Sequence, residues 1–197
     1  YGNMMMNRYN NSKNGSLDAN VYVQIEPIKN LRFKTVYGIS YGASEYRSYT
    51  PKYQFTPQTA NTVSKVSQSH GNGLSMVWTN TLSYDFDLAA EHHINALIGS
   101  ELSTYDGSNT EGLIPGFDDW DHAYLVNTNG TENKTVKGSP YDSTRGMSFF
   151  ARLGWTWKER YMVNATMRAD GSSKFAKGNR WGYFPSVSAG WTISEEK

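Results

Sequence analysis

About seven separate stretches of this chain alternate apolar and polar residues with a period of two, the pattern of strands with one greasy and one wet face. Residues 17–26, LDANVYVQIE, set Val21, Val23 and Ile25 against Asn20, Gln24 and Glu26. In 31–41, Leu31, Phe33, Tyr37, Ile39 and Tyr41 oppose Arg32, Lys34, Gly38 and Ser40. Stretches 74–86 (Leu74, Met76, Trp78, Leu82, Tyr84) and 93–105 (Ile94, Ala96, Ile98, Leu102 against His93, Asn95, Glu101) repeat the pattern. So do 146–157 (Met147 to Trp157 at alternate positions), 161–170 (Tyr161 to Ala169) and 183–194 (Tyr183, Pro185, Val187, Ala189, Trp191, Ile193).

These strands run to roughly 10–13 residues, longer than the 5–6 typical of soluble sheets and enough for a tilted strand to cross a bilayer. Their connections alternate between short and long. PIKN, DLAAEH, KER and the terminal EEK are the short ones; 1–16, 42–73, 106–145 and 171–182 are the long ones. Outer-membrane barrels alternate in this way, with tight periplasmic turns and long extracellular loops. Aromatics cluster at strand ends: Trp155, Trp157 and Tyr161 around KER, Tyr84 and Phe86 before DLAAEH, and Tyr41, Tyr105 and Tyr183 at the long connections. That is the arrangement of two interfacial girdles. A soluble β-sandwich that binds carbohydrate through exposed Tyr and Trp gives the same alternation and is the alternative fold. A small stand-alone barrel serving as an adhesin or anchor is a third.

Composition removes other classes. Among 197 residues the formal net charge is +1, with no basic block, so nucleic-acid binding is not expected. Cysteine is absent, which excludes a disulfide framework, a thiolate nucleophile and a zinc–thiolate site. No apolar run approaches the ~18 residues of a transmembrane helix. The first residues lack the layout of a signal peptide and read as a segment starting inside a loop.

One stretch carries a resemblance. Arg168, Asp170 to Phe175, Arg180, Trp181, Gly182, Phe184, Pro185, Ser186, Ser188 and Trp191 follow the pattern R-x-D-G-S-S-[RK]-F-G-x-x-x-R-[WY]-G-x-F-P-S-x-S-x-x-W. The pattern resembles the signature of SusC/RagA-type TonB-linked outer-membrane transporters, with Ala176 where that family usually has Gly. LRFKTVYGISY and HHINALIGSEL resemble two further strands of the family. The resemblance implies an all-β fold: a segment of an antiparallel transmembrane β-barrel, part of a 22-stranded barrel with a plugged lumen. It also implies import of oligosaccharides or peptides with a SusD-like surface lipoprotein, energised by the TonB complex through a plug. No plug, TonB box or barrel-closing strand is recognisable, so residues 1–197 are expected to be an internal barrel segment that cannot transport alone.

No catalytic residue, metal site or cofactor is expected. In FDDWDH, Trp120 could stack on a sugar while Asp118, Asp119 and Asp121 accept its hydroxyls, making these four the candidate ligand contacts. Adjacent aspartates lack the opposed, environment-separated pair of acid–base catalysis, and D-D-W-D lacks the regularity of a calcium loop. His92 and His93 should point to opposite faces and so cannot chelate together; loop or turn placement is the default for all four histidines. Arg32, Lys34, Arg152 and Arg168 should face the lumen, paired with carboxylates such as Glu26, Glu101 and Asp170. Asp170, Gly171, Arg180, Trp181, Gly182, Pro185 and Trp191 read as architecture, with Asp170 and Arg180 tying the last loop and Trp181 anchoring it.

Overall fold

The computed structural model describes residues 9–116, 121, 124–125, 134–139 and 143–196. Among the described residues ten strands follow one another: β1 (Asn10–Ile28), β2 (Leu31–Thr50), β3 (Tyr53–Thr56), β4 (Thr59–Asn61), β5 (Lys65–Ala89), β6 (His92–Pro115), β7 (Thr135–Ser139), β8 (Thr144–Trp157), β9 (Tyr161–Ser172) and β10 (Trp181–Trp191). The main sheet has the order β1-β2-β5-β6-β8-β9-β10, with β7 added on β6, while β3 and β4 form a separate hairpin. The seven alternating stretches are the seven strands of that path. β10 stops at Trp191, and Ile193–Glu195 turn into a single 3-10 turn instead of prolonging it.

The chain divides into two compact units, and the first comprises Asp18–Ser40, Ser75–Tyr105 and Ser143–Lys197. Its register runs without a shift across four strands. Trp155 faces Ile94 on one side and Val163 on the other, and Val163 faces Ala189. One row out of phase, Ser148 faces Glu101 and Asp170. Pairing therefore segregates the residues as the sequence alternation requires: Ile, Leu, Ala, Val, Met and Trp on one face, Arg, Asn, Glu, Ser and Thr on the other.

Short turns hold this register. Asn30 closes β1–β2 in the left-handed region (φ 67), which asparagine tolerates better than most residues. Lys158 and Glu159 both take positive φ (54 and 55) in the three-residue connection between β8 and β9, at the centre of a turn closed by the Arg160 N–H on the Trp157 carbonyl (3.0 Å). Pro185 faces Met167 and leaves the β9–β10 register unbroken from Trp181 to Trp191. Its missing N–H therefore falls on the edge of β10 turned away from β9.

No apolar side chain of this unit is buried among the described residues, and Leu153 and Val187 are 53% and 74% exposed. A soluble β-sandwich would hide this face against a second sheet. The sandwich alternative fails on that point.

The second unit comprises Tyr1–Leu17, Tyr41–Leu74 and Asp106–Asp142. Residues 42–50, 65–73 and 106–115, expected as connections, continue β2, β5 and β6 as strands. They lack apolar alternation but are rich in Ser, Thr, Tyr and Glu, whose backbones pair equally well once no face has to be greasy. Here there is a small core. Val66 is fully buried beside Tyr49, with Tyr9 edge-on to Tyr49 at 5.5 Å and Leu125 against the cluster. The Gly116 N–H donates to the Ser64 carbonyl (2.9 Å), tying the end of β6 to the residue before β5.

Candidate functional site: the polar face and the hairpin beside it

On the polar face, Arg168 is the hub. Register brings Arg168 of β9 beside Phe150 of β8, which lies beside Gly99 of β6, while the neighbouring row holds Asp170, Ser148 and Glu101. The Arg168 guanidinium donates through Nε to Asp170 Oδ1 (2.7 Å), and through an η nitrogen to the Ser148 hydroxyl (3.1 Å) and Glu101 Oε1 (3.4 Å). Its planar fork suits several acceptors held at fixed positions. Phe150 supplies a ring 5.6 Å from the guanidinium carbon, and the ring occupies the space a Gly99 side chain would need.

Towards the short turns the face continues with polar pairs. Arg32 and Asn95 both donate to Asp85, His93 Nδ1 lies 2.9 Å from Asp87, and Arg152 donates to Asn164 (3.3 Å). Lys34 lies over the Tyr22 ring at 4.9 Å. The expected lumen pairing of Arg168 with Glu101 and Asp170 is found. Arg32 pairs with Asp85 rather than Glu26, because Glu26 caps the Asn30 N–H of its own turn. Such a surface offers alternating charge and hydrogen-bonding capacity. Among the described residues no group of three or more His, Asp or Glu is placed to hold a metal.

The connection from β9 to β10 is a compact loop. The Ser172 N–H donates to the Arg180 carbonyl (3.0 Å), Asn179 N–H to the Ala176 carbonyl (3.1 Å), and Gly178 supplies a left-handed turn at φ 98. Ser173 and Arg145 exchange two hydrogen bonds of 2.9 Å, backbone to backbone and backbone to hydroxyl. Asp170 and Arg180 do not tie this loop. Asp170 belongs to Arg168, two residues away on the same strand face, and the Arg180 Nε donates instead to the Phe175 carbonyl (3.2 Å).

Trp181, at the start of β10, stacks on Phe149 (6.2 Å, 16°) over Gly171, where a Cβ would meet the indole at 3.1 Å. Gly182 follows it, with the Phe184 ring over it. At the opposite end Trp191 stacks on Tyr161 (6.4 Å) and donates to Glu196 (3.2 Å), which also accepts from the Tyr161 hydroxyl (2.9 Å). Past the end of β10, these two donors hold the Glu196 carboxyl below its usual range.

Asp118, Asp119 and Trp120 lie outside the described residues, as does His122; Asp121 is exposed. Sequence reasoning missed the role of His92. It stacks against Trp155 (5.7 Å, 10°) and Trp157 (6.1 Å, 11°), and its Nδ1 accepts from the Trp155 indole N–H (3.0 Å). The signal was its phase: His92 lies two residues from Ile94, on the apolar face. His93 takes the polar face, as expected. Phase also corrects Tyr105, which is in step with Glu101 and Ser103 on the polar face, so it is no part of an apolar-face girdle. Trp181 over Phe149 marks that end instead.

An uncovered apolar face ending in stacked Trp and Tyr, backed by a charged and satisfied polar face, defines the wall of an outer-membrane β-barrel. Residues 2–196 match the family described as TonB dependent receptor-like, beta-barrel, and the chain belongs to that family. Its relatives place it among SusC/RagA-like receptors of the outer membrane. It is 54% identical over 50 residues to the TonB-dependent receptor SusC of Bacteroides thetaiotaomicron, covering 25% of this chain and 5% of SusC. It is 26% identical over 186 residues to TonB-dependent receptor P39 of Formosa agariphila, covering 89% of this chain and 17% of that protein. The solved structure of the RagAB peptide transporter superposes with a TM-score of 0.79 at 24% identity, covering 96% of this chain and 21% of that one. Against P39 and RagAB, then, the chain spans only about a fifth of the matched protein. The family is one of receptors and transporters, not of enzymes.

Proposed function

We propose that this chain forms part of the barrel wall of a TonB-dependent importer that takes up oligosaccharides or peptides with a SusD-like surface lipoprotein, its loop ends outside the cell and its short turns in the periplasm. The observation that carries the reading is the unbroken register of β6, β8, β9 and β10, which gives one lipid-facing and one lumen-facing surface. Satisfied ion pairs on the lumen side suit a wall that must not close on itself or on a passing substrate. The relatives named SusC and RagAB support the import assignment. Within it, Asp118, Asp119, Trp120 and Asp121 are the candidate ligand contacts.

The chain has no cysteine, so a single cysteine placed in it reports sidedness once any cysteine elsewhere in the full-length protein is replaced by serine. In the full-length protein in intact cells, Lys177→Cys in the β9–β10 loop should react with a membrane-impermeant maleimide, and Glu159→Cys in the β8–β9 turn only after lysis. Reversed labelling would overturn the orientation. For transport, deletion of the full-length gene should abolish uptake of a labelled oligosaccharide or oligopeptide. Unchanged uptake of both classes would overturn the import reading.

A further inference from the structure

At the short-turn end, strand pairing sets a row of rings side by side. His92 of β6 faces Trp157 of β8, Trp157 faces Tyr161 of β9, and Tyr161 faces Trp191 of β10. Along the row the ring centroids lie 6.1, 5.4 and 6.4 Å apart, with planes 11°, 28° and 8° from parallel. Trp155 adds a fifth ring, stacked on His92 at 5.7 Å. Rings placed opposite one another on neighbouring strands stack in this way whatever their use. The hydrogen bonds at the two ends of the ladder are what stacking does not require.

Each end carries a proton acceptor. The Trp155 indole N–H donates to His92 Nδ1 (3.0 Å), which keeps the imidazole hydrogen on Nε2 and leaves Nδ1 a base. At the other end the Tyr161 hydroxyl (2.9 Å) and the Trp191 indole N–H (3.2 Å) both donate to Glu196 Oε2. For anchoring at an interface, water or headgroups satisfy such polar tips. Here all three donors are turned onto basic atoms instead. Indole and phenol are among the side chains that give up one electron most readily. The radical cation left behind is acidic, and it sheds its N–H or O–H proton to a base within hydrogen-bond reach. Between the ends, Lys158, held by Glu91 at 3.4 Å, places its ammonium 5.3 Å over the Trp157 ring. A positive hole is thereby disfavoured in the middle of the ladder.

We propose that the ladder is a one-electron relay, which quenches an organic peroxyl radical of the apolar layer at Trp155 and moves the oxidised site to Tyr161. Trp155 is exposed on the apolar face, whereas Tyr161 is half-buried. In the first step Trp155 gives an electron to the peroxyl radical, which takes a proton from solvent and becomes the hydroperoxide. The indole N–H bond breaks and its proton passes to His92 Nδ1. In the second step Tyr161 gives an electron, across the stacked Trp157 and His92 rings, to the Trp155 radical. His92 returns its proton to the indole nitrogen, and the Tyr161 O–H proton goes to Glu196. One peroxyl radical and one solvent proton have then become a hydroperoxide. Tyr161 is left as a neutral phenoxyl radical beside a protonated carboxyl. The relay is independent of the cargo.

The test uses the full-length protein in lipid bilayers, exposed to a lipid-soluble azo initiator that releases peroxyl radicals. A nitroso spin trap is present, and oxidised or trapped residues are mapped by mass spectrometry. Wild type should carry more trap on Tyr161 than on Trp155 or Trp191, although those two rings are the more exposed. Glu196→Gln, which keeps a hydrogen-bond acceptor but removes the base, should lower the ratio of Tyr161 to Trp155 modification about tenfold. Tyr161→Phe keeps the stack and should leave the damage on Trp155 and Trp157. A wild-type pattern that follows exposure, or an unchanged ratio in Glu196→Gln, overturns the relay. Should Glu196→Gln fail to assemble, as read by heat-modifiable gel mobility, Tyr161→Phe decides alone. Oxidation of Trp155 no higher in that variant than in wild type overturns the relay.

Discussion

Gly99 shows how much one missing methyl group decides. A Cβ there would sit 2.3 Å from the Phe150 ring and 3.0 Å from the Asn80 carbonyl oxygen. The absent side chain lets Phe150 lie flat across β6 and offer its face to Arg168. Gly99→Ala should lower the unfolding free energy of the full-length barrel by about 1–3 kcal/mol, the usual cost of overpacking, read from urea titration. In a Phe150→Ala background the same change should cost less than half as much, because only the backbone contact remains. Equal costs in the two backgrounds would show that the ring is not what excludes a side chain. Glu196 carries a pH prediction. Tyr161 and Trp191 hold its folded pKa below the unfolded one, so its stabilising contribution is complete above the ordinary carboxyl range and is lost as pH falls through the folded value. Trp191 fluorescence should change on acidification from pH 5 to about 3 in the wild type and stay flat in Glu196→Gln.

At the scale of the strand, register assigns a role to each face. Ala165 lies between Leu153 and Val187, in the middle of the apolar band, whereas Ser188 faces Asn164 on the polar side. Ala165→Arg should cost about 2–4 kcal/mol and reduce assembly into the outer membrane, while Ser188→Arg should be close to neutral. Heat-modifiable mobility and urea titration in detergent micelles check both. Equal tolerance would mean that the face assignment is wrong. The lipid-facing strand cores were legible in the sequence because bilayer and lumen impose opposite chemistry on neighbouring residues. The strand ends were not. Residues such as Glu45, Tyr46 and Arg47 pair as strand without any hydrophobic period, so the signal that located β2 vanished where the need for a greasy face did.

For the whole molecule, family membership was legible from one hairpin, since Asp170 to Trp191 are constrained by pairing, ring stacking and tight glycine contacts at once. Their individual roles were less so. Asp170 and Arg180 have complementary charges, and only the register reveals that Arg168 is the nearer partner for Asp170. The candidate ligand contacts Asp118 to Asp121 lie in a stretch with no periodicity to read.

Pro185 has an effect on assembly. With its nitrogen on the edge turned away from β9, β10 offers β9 a complete set of donors in this register and in those shifted by two residues, but not in those shifted by one. A slip by a single residue would turn that nitrogen inward and lose a hydrogen bond worth about 1 kcal/mol, while moving Val187 and Ala189 to the lumen. The imino ring thus acts as a proofreading notch: of the ways long, similar strands zip together in a membrane, it marks those that turn the wrong face to lipid as incomplete before the barrel closes around them.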